Sequence, residues 1–479
     1  MKELTEYTLI EIKEKLTRKE ITSVEVVSAC IKKIKETKEI NSILYIDEES
    51  ALRNAEVADE NIKNGAEREL EGIPVVVKDN ISTTELKTTC ASKFLENYTA
   101  PYDATVVKKL KEAGAIIIGK ANMDEFAMGS SGENSAYGRT LNPINHDYVT
   151  GGSSSGSAAC VAASQCYASL GTDTGGSIRQ PAGFCGVVGI KPTYGRVSRF
   201  GVVAFGSSLD QVGPITKTVK DNALILDVIS GKDENDGTSV NRADMPFSKS
   251  FVSSIKGMKI GVAKEFFTLS MDKEVKETID NMIKFYKDNG VEIIDISLPS
   301  IDKTLAVYYI LSSAEAASNL SRFDGIKYTS RAKDYEGLVD LYYKSRTEGF
   351  GSEVKRRIMM GNYVLSASYY DAYYRQAQKV QQLLKKEFDD AFKQVDVIIS
   401  PVSPTPPFKF GSKASPLEMY LADIFTVPVN VVGVPAISFP TERSKDGMPI
   451  ACQLIADKWQ ENKLYALAGF YEEKMGGVK

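Results

Sequence analysis

Within an N-terminal segment of residues 1–70, Leu, Ile and Val return every three or four positions among Glu and Lys from residue 7 onward. This period predicts helix throughout, with Thr8 placed to cap its start. Beyond it the pattern changes. Val75 to Val77, Ile116 to Ile118, Ile260 to Val262 and Val395 to Ser400 are short apolar runs separated by helical periods. Runs without a polar face predict strands buried on both sides, hence an α/β sheet covered by helices on both faces. Asp233 to Ser250 is polar and predicts a surface excursion. No internal repeat or low-complexity segment interrupts the pattern.

Composition narrows the class. With 43% hydrophobic and 25% charged residues over 479 positions, the chain can bury a large core, and its length alone suggests two or three domains. The longest apolar stretch, around Val427 to Phe439, is broken by prolines and Asn430, so nothing approaches the roughly 18 residues that span a bilayer. The charged start, Met-Lys-Glu-Leu-Thr-Glu-Tyr, does not suit a signal peptide. Cys30, Cys90, Cys160, Cys166, Cys185 and Cys452 lack framework spacing and read as reduced, buried thiols. A cytoplasmic protein with no membrane contact is expected. The net charge of -4 and the absence of a Lys/Arg block with interleaved aromatics argue against a chain that grips nucleic acid alone.

The candidate chemistry lies between Gly151 and Ser177. Gly-Gly-Ser-Ser-Ser-Gly-Ser opens that stretch and Gly-Thr-Asp-Thr-Gly-Gly-Ser closes it. Serines among glycines suit a nucleophile held on tight turns, but a hydroxyl needs a base. The sequence holds one histidine, His146, in the turn-rich Asn-Pro-Ile-Asn-His-Asp, where a solvated loop residue is expected. A desolvated lysine is the remaining base. Lys78 ends the apolar run Ile73-Pro74-Val75-Val76-Val77 and would be partly desolvated there.

Rival motifs fit less well. Gly152 to Gly156 satisfies the nucleophile-elbow pattern, but that fold places its histidine after the serine. No lysine followed by Ser or Thr closes a phosphate loop. Ser-x-x-Lys recurs at Ser253, Ser330 and Ser352 without companion motifs. One histidine and no paired Cys-x-x-Cys leave no zinc site.

Lys78, the glycine-serine segment from Gly151, and Gly171 to Ala182 together resemble the amidase signature family. The resemblance implies one amidase domain over residues 1–479, a signature core of about 65–215, and one large mixed β-sheet. It implies a Ser-Ser-Lys triad of Ser177 as nucleophile, Ser153 as relay behind a cis Gly152-Ser153 peptide, and Lys78 as base. A Thr-Gly-Gly-Ser turn can aim successive amides at one spot, so Thr174, Gly175, Gly176 and Ser177 are assigned the oxyanion hole. Thr150 stands where the family commonly has proline, and Ser155 where it commonly has glycine.

The C-terminal half, through Tyr342 to Ile358, Ser366 to Tyr374 and Asp423 to Asn430, resembles the glutaminase subunits of tRNA-dependent amidotransferases within that family. A pocket for zwitterionic glutamine needs a cation and an anion. The resemblance gives those roles to Arg357 and Asp423, with Tyr308 or Tyr309 lining the pocket. It further implies L-glutamine as substrate, with ammonia passed to a B subunit that converts Glu-tRNA(Gln) to Gln-tRNA(Gln). A C subunit braces this heterotrimer, and tRNA is met only through the complex. ATP and Mg belong to the B subunit, so no cofactor or metal is expected on this chain. A stand-alone amidase acting on another small amide, and a non-catalytic glycine-loop scaffold, remain open alternatives.

Overall fold

The computed structural model describes residues 2–65, 68–242, 245–413 and 415–476. Residues 66–67, within the predicted helical segment and signature core, and 243–244, within the predicted excursion, lie outside the described residues. So do residues 1, 414 and 477–479 of the expected single domain.

Eleven strands form one mixed sheet. In chain order they are β1 (Ile43–Ile46), β2 (Pro74–Lys78), β3 (Ile116–Ala121), β4 (Ala168–Asp173), β5 (Val188–Lys191), β6 (Gln211–Thr216), β7 (Lys259–Ala263), β8 (Glu292–Ile296), β9 (Val397–Pro401), β10 (Ala436–Arg443) and β11 (Pro449–Ala456). Their spatial order is β1-β3-β2-β4-β6-β5-β10-β11-β9-β7-β8. β3, β2 and β4 run parallel, as do β9, β7 and β8, while antiparallel pairs fill the middle and the β1 edge. All four predicted apolar runs are strands, and β2, β3 and β9 are buried at every position, as runs without a polar face require.

The N-terminal segment departs from expectation. Helices Leu9–Thr17, Ser23–Glu36 and Glu48–Lys63 are present, and Thr8 caps the first with a reciprocal Glu11 capping box. Between the last two, however, Ile43–Ile46 is a strand. Asn41 adopts a left-handed conformation (φ 54°) that stops helical propagation. The following Ile-Leu-Tyr-Ile is half-buried and adds an antiparallel edge to β3. The Asp233 to Ser250 excursion is pinned at its start, where Asp233 Oδ2 accepts from Thr105 Oγ1 (2.5 Å) and Ser198 Oγ (2.6 Å).

One helix crossing positions half of the site. Helix Ser352–Leu365 lies across Thr304–Asn319, and Gly361 is the point of closest approach. A Cβ at Gly361 would run into the Ser313 carbonyl oxygen and sit 2.7 Å from Ala317 Cβ. The crossing lays Arg357 over the ring of Tyr309, with the guanidinium 4.3 Å from its centroid. Gly361→Ala is expected to lower stability by about 1–3 kcal/mol through overpacking. It should also raise KM for a substrate held by Arg357. Denaturant midpoints and KM check both effects, and an unchanged pair would show that the crossing tolerates a methyl group.

Candidate active site

β2 and β4 are parallel neighbours with Val77 opposite Leu170, so Lys78 at the end of β2 comes beside the last residues of β4. Lys78 is fully buried. Its Nζ lies 2.8 Å from Ser153 Oγ, 2.9 Å from Ser154 Oγ, 2.9 Å from Thr172 Oγ1 and 3.4 Å from the Thr172 carbonyl. No carboxylate is within ion-pair distance among the described residues. Burial pushes the amine down from its usual 10.5 to about 7, against the opposing pull of Asp124, Asp173 and Asp210.

Hydrogen-bond partners limit how a neutral Lys78 can be oriented. Ser154 Oγ gives its hydrogen to the Thr172 carbonyl (3.1 Å), so it accepts from Lys78, while Thr172 Oγ1 accepts from Asn80 Nδ2 (3.1 Å) and keeps its own hydrogen. A neutral amine has two hydrogens and one lone pair; with one hydrogen on Ser154, the other hydrogen and the lone pair serve Thr172 Oγ1 and Ser153 Oγ.

The bond between Gly152 and Ser153 is cis, as the resemblance implied. Ser153 is completely buried, whereas Ser177 keeps 7% of its surface accessible, as a group that meets a substrate must. Ser177 is tied to the same loop through its carbonyl, which accepts the Ser154 N–H at 3.1 Å. The Ser177 hydroxyl makes no hydrogen bond among the described residues, so the expected Ser153–Ser177 bridge is not drawn in this state. Thr150 and Ser155, the two departures from the family pattern, are buried. Thr150 Oγ1 donates to the Gly151 carbonyl (3.0 Å), and Ser155 Oγ lies 3.2 Å from Thr140 Oγ1.

The turn after β4 is shaped by a carboxylate that sequence reading gave no role. Asp173 accepts from the N–H of Gly176 (2.8 Å) and of Ile178 (3.2 Å), and is gripped by both prongs of Arg179 at 3.0 Å. Burial alone would push Asp173 up, but the guanidinium holds it down at about 2. Arg179 reaches on to Asn430 Oδ1 and Gln453 Oε1, both at 2.6 Å, and to the Thr426 carbonyl at 3.1 Å. The N–H of Gly176, which the resemblance places in the oxyanion hole, donates to Asp173 Oδ1 in this structure. The N–H groups of Thr174, Gly175 and Ser177 have no partner among the described residues. Gly176 is still required at its place: its φ is +133°, and a Cβ would collide with Thr426.

Both predicted tyrosines are buried in the pocket. The Tyr308 ring lies against Gly175, and Tyr309 stacks on Tyr420 at 4.1 Å while its hydroxyl donates to Asp423 Oδ2 at 3.3 Å. Of the adjacent arginines Arg357 is buried, whereas Arg356 keeps 46% of its side chain exposed. Arg357 Nε donates to Glu353 Oε1 at 2.7 Å, but its Nη1 is buried without a partner among the described residues. Asp423 accepts from Ser130 Oγ at 2.6 Å, and burial lifts it to about 7. Glu353, Tyr420, Ser130 and Asp124 were missed by sequence reading, since a lone acid, tyrosine or serine carries no local motif, and Asp173 was read only as part of the Gly171 to Ser177 motif, without a role. His146 is exposed on its loop, and all six cysteines are buried and free.

Comparisons place these features among known proteins. The amidase family model matches residues 25–465. The chain is 54% identical over 473 residues to the A subunit of glutamyl-tRNA(Gln) amidotransferase from Caldanaerobacter subterraneus subsp. tengcongensis, covering 98% of this chain and 97% of that protein. It is 52% identical to the protein of the same name from Clostridium botulinum strain Hall, covering 99% and 98%. Among solved structures it is similar to the A subunit of glutamyl-tRNA(Gln) amidotransferase from Thermotoga maritima, with a TM-score of 0.80, 40% identity and coverage of 98% and 95%. The peptide amidase of Stenotrophomonas maltophilia shares the architecture at a TM-score of 0.83 and 26% identity, covering 99% and 98%.

Removing the guanidinium in Arg179→Met leaves Asp173 buried and unpaired. It is expected to cost about 3–5 kcal/mol, as broken buried ion pairs do. Chemical denaturation checks this, and a loss below about 1 kcal/mol would mean the fork does not hold the turn.

Proposed function

The chain belongs to the amidase family, and on that premise we propose that it is the glutaminase subunit of a tRNA-dependent amidotransferase, acting as one amidase unit. The observation that carries this reading is the buried Nη1 of Arg357, unpartnered among the described residues, on the Tyr309 ring whose hydroxyl meets Asp423. An orphaned guanidinium hydrogen calls for an anion, and Asp423, joined to it through Tyr309, calls for a cation. A free α-amino acid supplies both charges. A simple amide supplies neither.

In the proposed reaction the glutamine α-carboxylate meets Arg357 and its α-ammonium meets Asp423, which sets the side-chain amide at the turn after β4. Ser177 Oγ attacks the amide carbon as its proton passes to Ser153, whose own proton goes to the lone pair of Lys78. The tetrahedral oxyanion faces the N–H groups of Thr174, Gly175 and Ser177. Its collapse releases ammonia, protonated from Lys78 by the reverse path. Water then attacks the γ-glutamyl ester with Lys78 again as base, freeing glutamate and Ser177.

Ammonia serves as the product handed to a partner. B and C subunits complete the proposed heterotrimer in the cytoplasm. The B subunit uses ATP and Mg to convert Glu-tRNA(Gln) to Gln-tRNA(Gln), and tRNA is met only through the complex. The names of the full-length relatives support this assignment over a stand-alone amidase. No helix among the described residues is long and apolar enough to cross a membrane.

Ser177→Ala, purified with native partners retained, is expected to abolish ammonia release from L-glutamine while wild type sustains it. Equal release from both proteins would remove Ser177 from its role. Wild type that hydrolysed simple amides and left glutamine intact would turn the reading toward a stand-alone amidase.

A second prediction concerns pH. An amine depressed to about 7 is neutral above that pH, and Asp423, raised to about 7, is ionised above it. Both groups therefore favour activity as pH rises. On glutamine, kcat/KM should climb through pH 7 with a slope above one proton, and on an amide lacking the α-ammonium with a slope of one. A profile flat down to about pH 5 would exclude Lys78 as the base.

A further inference from the structure

Gln180 takes no part in the chemistry above, yet it is fully buried where the two halves of the site meet. Its Oε1 accepts the Gly152 N–H at 2.9 Å, and its Nε2 donates to the Ser130 carbonyl at 2.9 Å. The side-chain orientation is set by chemistry, because a backbone N–H can only donate and a carbonyl can only accept. One amide thus joins the loop carrying the relay serine to the loop carrying Ser130. Ser130 Oγ in turn donates to Asp423 Oδ2 at 2.6 Å. The result is a continuous buried path from Asp423 through Ser130 and Gln180 to the Gly151-Gly152 peptide, one residue before Ser153.

A second strut runs beside it. The buried Asp124 carboxylate accepts from the N–H of Gly132 (3.1 Å) and of Asn134 (2.9 Å), while its own N–H donates to the Ser153 carbonyl at 3.2 Å. The loop 130–134 and the peptide bearing Ser153 are therefore held to each other at two places. Ser153 in turn has its hydroxyl 2.8 Å from Lys78 Nζ.

We propose that Gln180 is a positioning residue that transmits occupancy of the Asp423 end of the pocket to Ser153, so that a substrate α-ammonium raises turnover as well as affinity. An ammonium arriving at Asp423 shares the carboxylate with Ser130 and re-seats that loop, and the amide of Gln180 passes the adjustment to the relay serine. Binding energy from a non-reacting part of the substrate is then used at the reacting centre. The inference rests on the glutaminase reading.

The test compares L-glutamine with 5-amino-5-oxopentanoate, which is glutamine without its α-amino group, in wild type, Gln180→Glu and Gln180→Met purified with bound partners. Assays run at pH 8.5 to favour the ionised form of the introduced acid, whose buried position opposes it. Glu keeps the acceptor for Gly152 and loses the donor to Ser130, whereas Met loses both. Wild type should show a kcat for glutamine at least about tenfold above that for the analogue, since misplacement of about 1 Å costs up to about 100-fold. In Gln180→Glu that ratio should fall to within about threefold of unity with KM for glutamine nearly unchanged. Gln180→Met should lose kcat on both substrates.

Three results would overturn the inference alone: a wild-type α-ammonium effect confined to KM, which needs no variant to fold; Gln180→Glu losing kcat equally on both substrates; or Gln180→Glu raising KM at constant kcat. Wild type that turned over the analogue but not glutamine would overturn the glutaminase reading and this inference with it.

Discussion

A lysine amine sits in the interior of this protein with hydroxyls around it and no carboxylate at ion-pair distance among the described residues. Desolvating an ammonium is costly, so burial brings the amine down to about 7, and it is neutral above that pH. Its neighbours are the hydroxyls of Ser153, Ser154 and Thr172, at 2.8 to 2.9 Å. The register of β2 against β4 sets Lys78 beside Thr172. A carboxylate beside Nζ would restore the charge and remove the base.

The protein handles two other buried charge sets in opposite ways. Asp173 and Arg179 are saturated: every prong of the guanidinium is bonded, and the carboxylate is held ionised at about 2. This fork shapes the turn and takes the Gly176 amide, while the N–H groups of Thr174, Gly175 and Ser177 have no partner among the described residues. Arg357 and Asp423 are left unsaturated, with a guanidinium nitrogen unpartnered among the described residues and a carboxylate lifted to about 7. Buried charge that is fully paired builds structure, and the proposed glutaminase reading gives the unsaturated pair to the substrate.

Much of this was legible in the chain. The four apolar runs without a polar face became strands, Thr8 became a cap, and Lys78 lay at a strand end beside two glycine-serine turns. A single histidine made a lysine base the natural choice. Other features depend on contacts across hundreds of residues. Ser130 acquires meaning only where it meets Asp423, 293 residues on, and no spacing rule connects the two. The Ile43–Ile46 strand was hidden because four half-buried residues fit a helical period as readily as an extended one. The bond from the Gly176 N–H to Asp173 was also hidden, because a turn motif shows which amides exist and not which partners they find.

The central claim is a neutral Lys78, and a titration of the native protein labelled at lysine Cε with carbon-13 tests it directly. One resonance, identified by its loss in Lys78→Met, should titrate near pH 7, the value burial imposes. The same resonance titrating near the ordinary lysine value of 10.5 would mean that the amine is charged at neutral pH, and that the proposed proton path does not start from it.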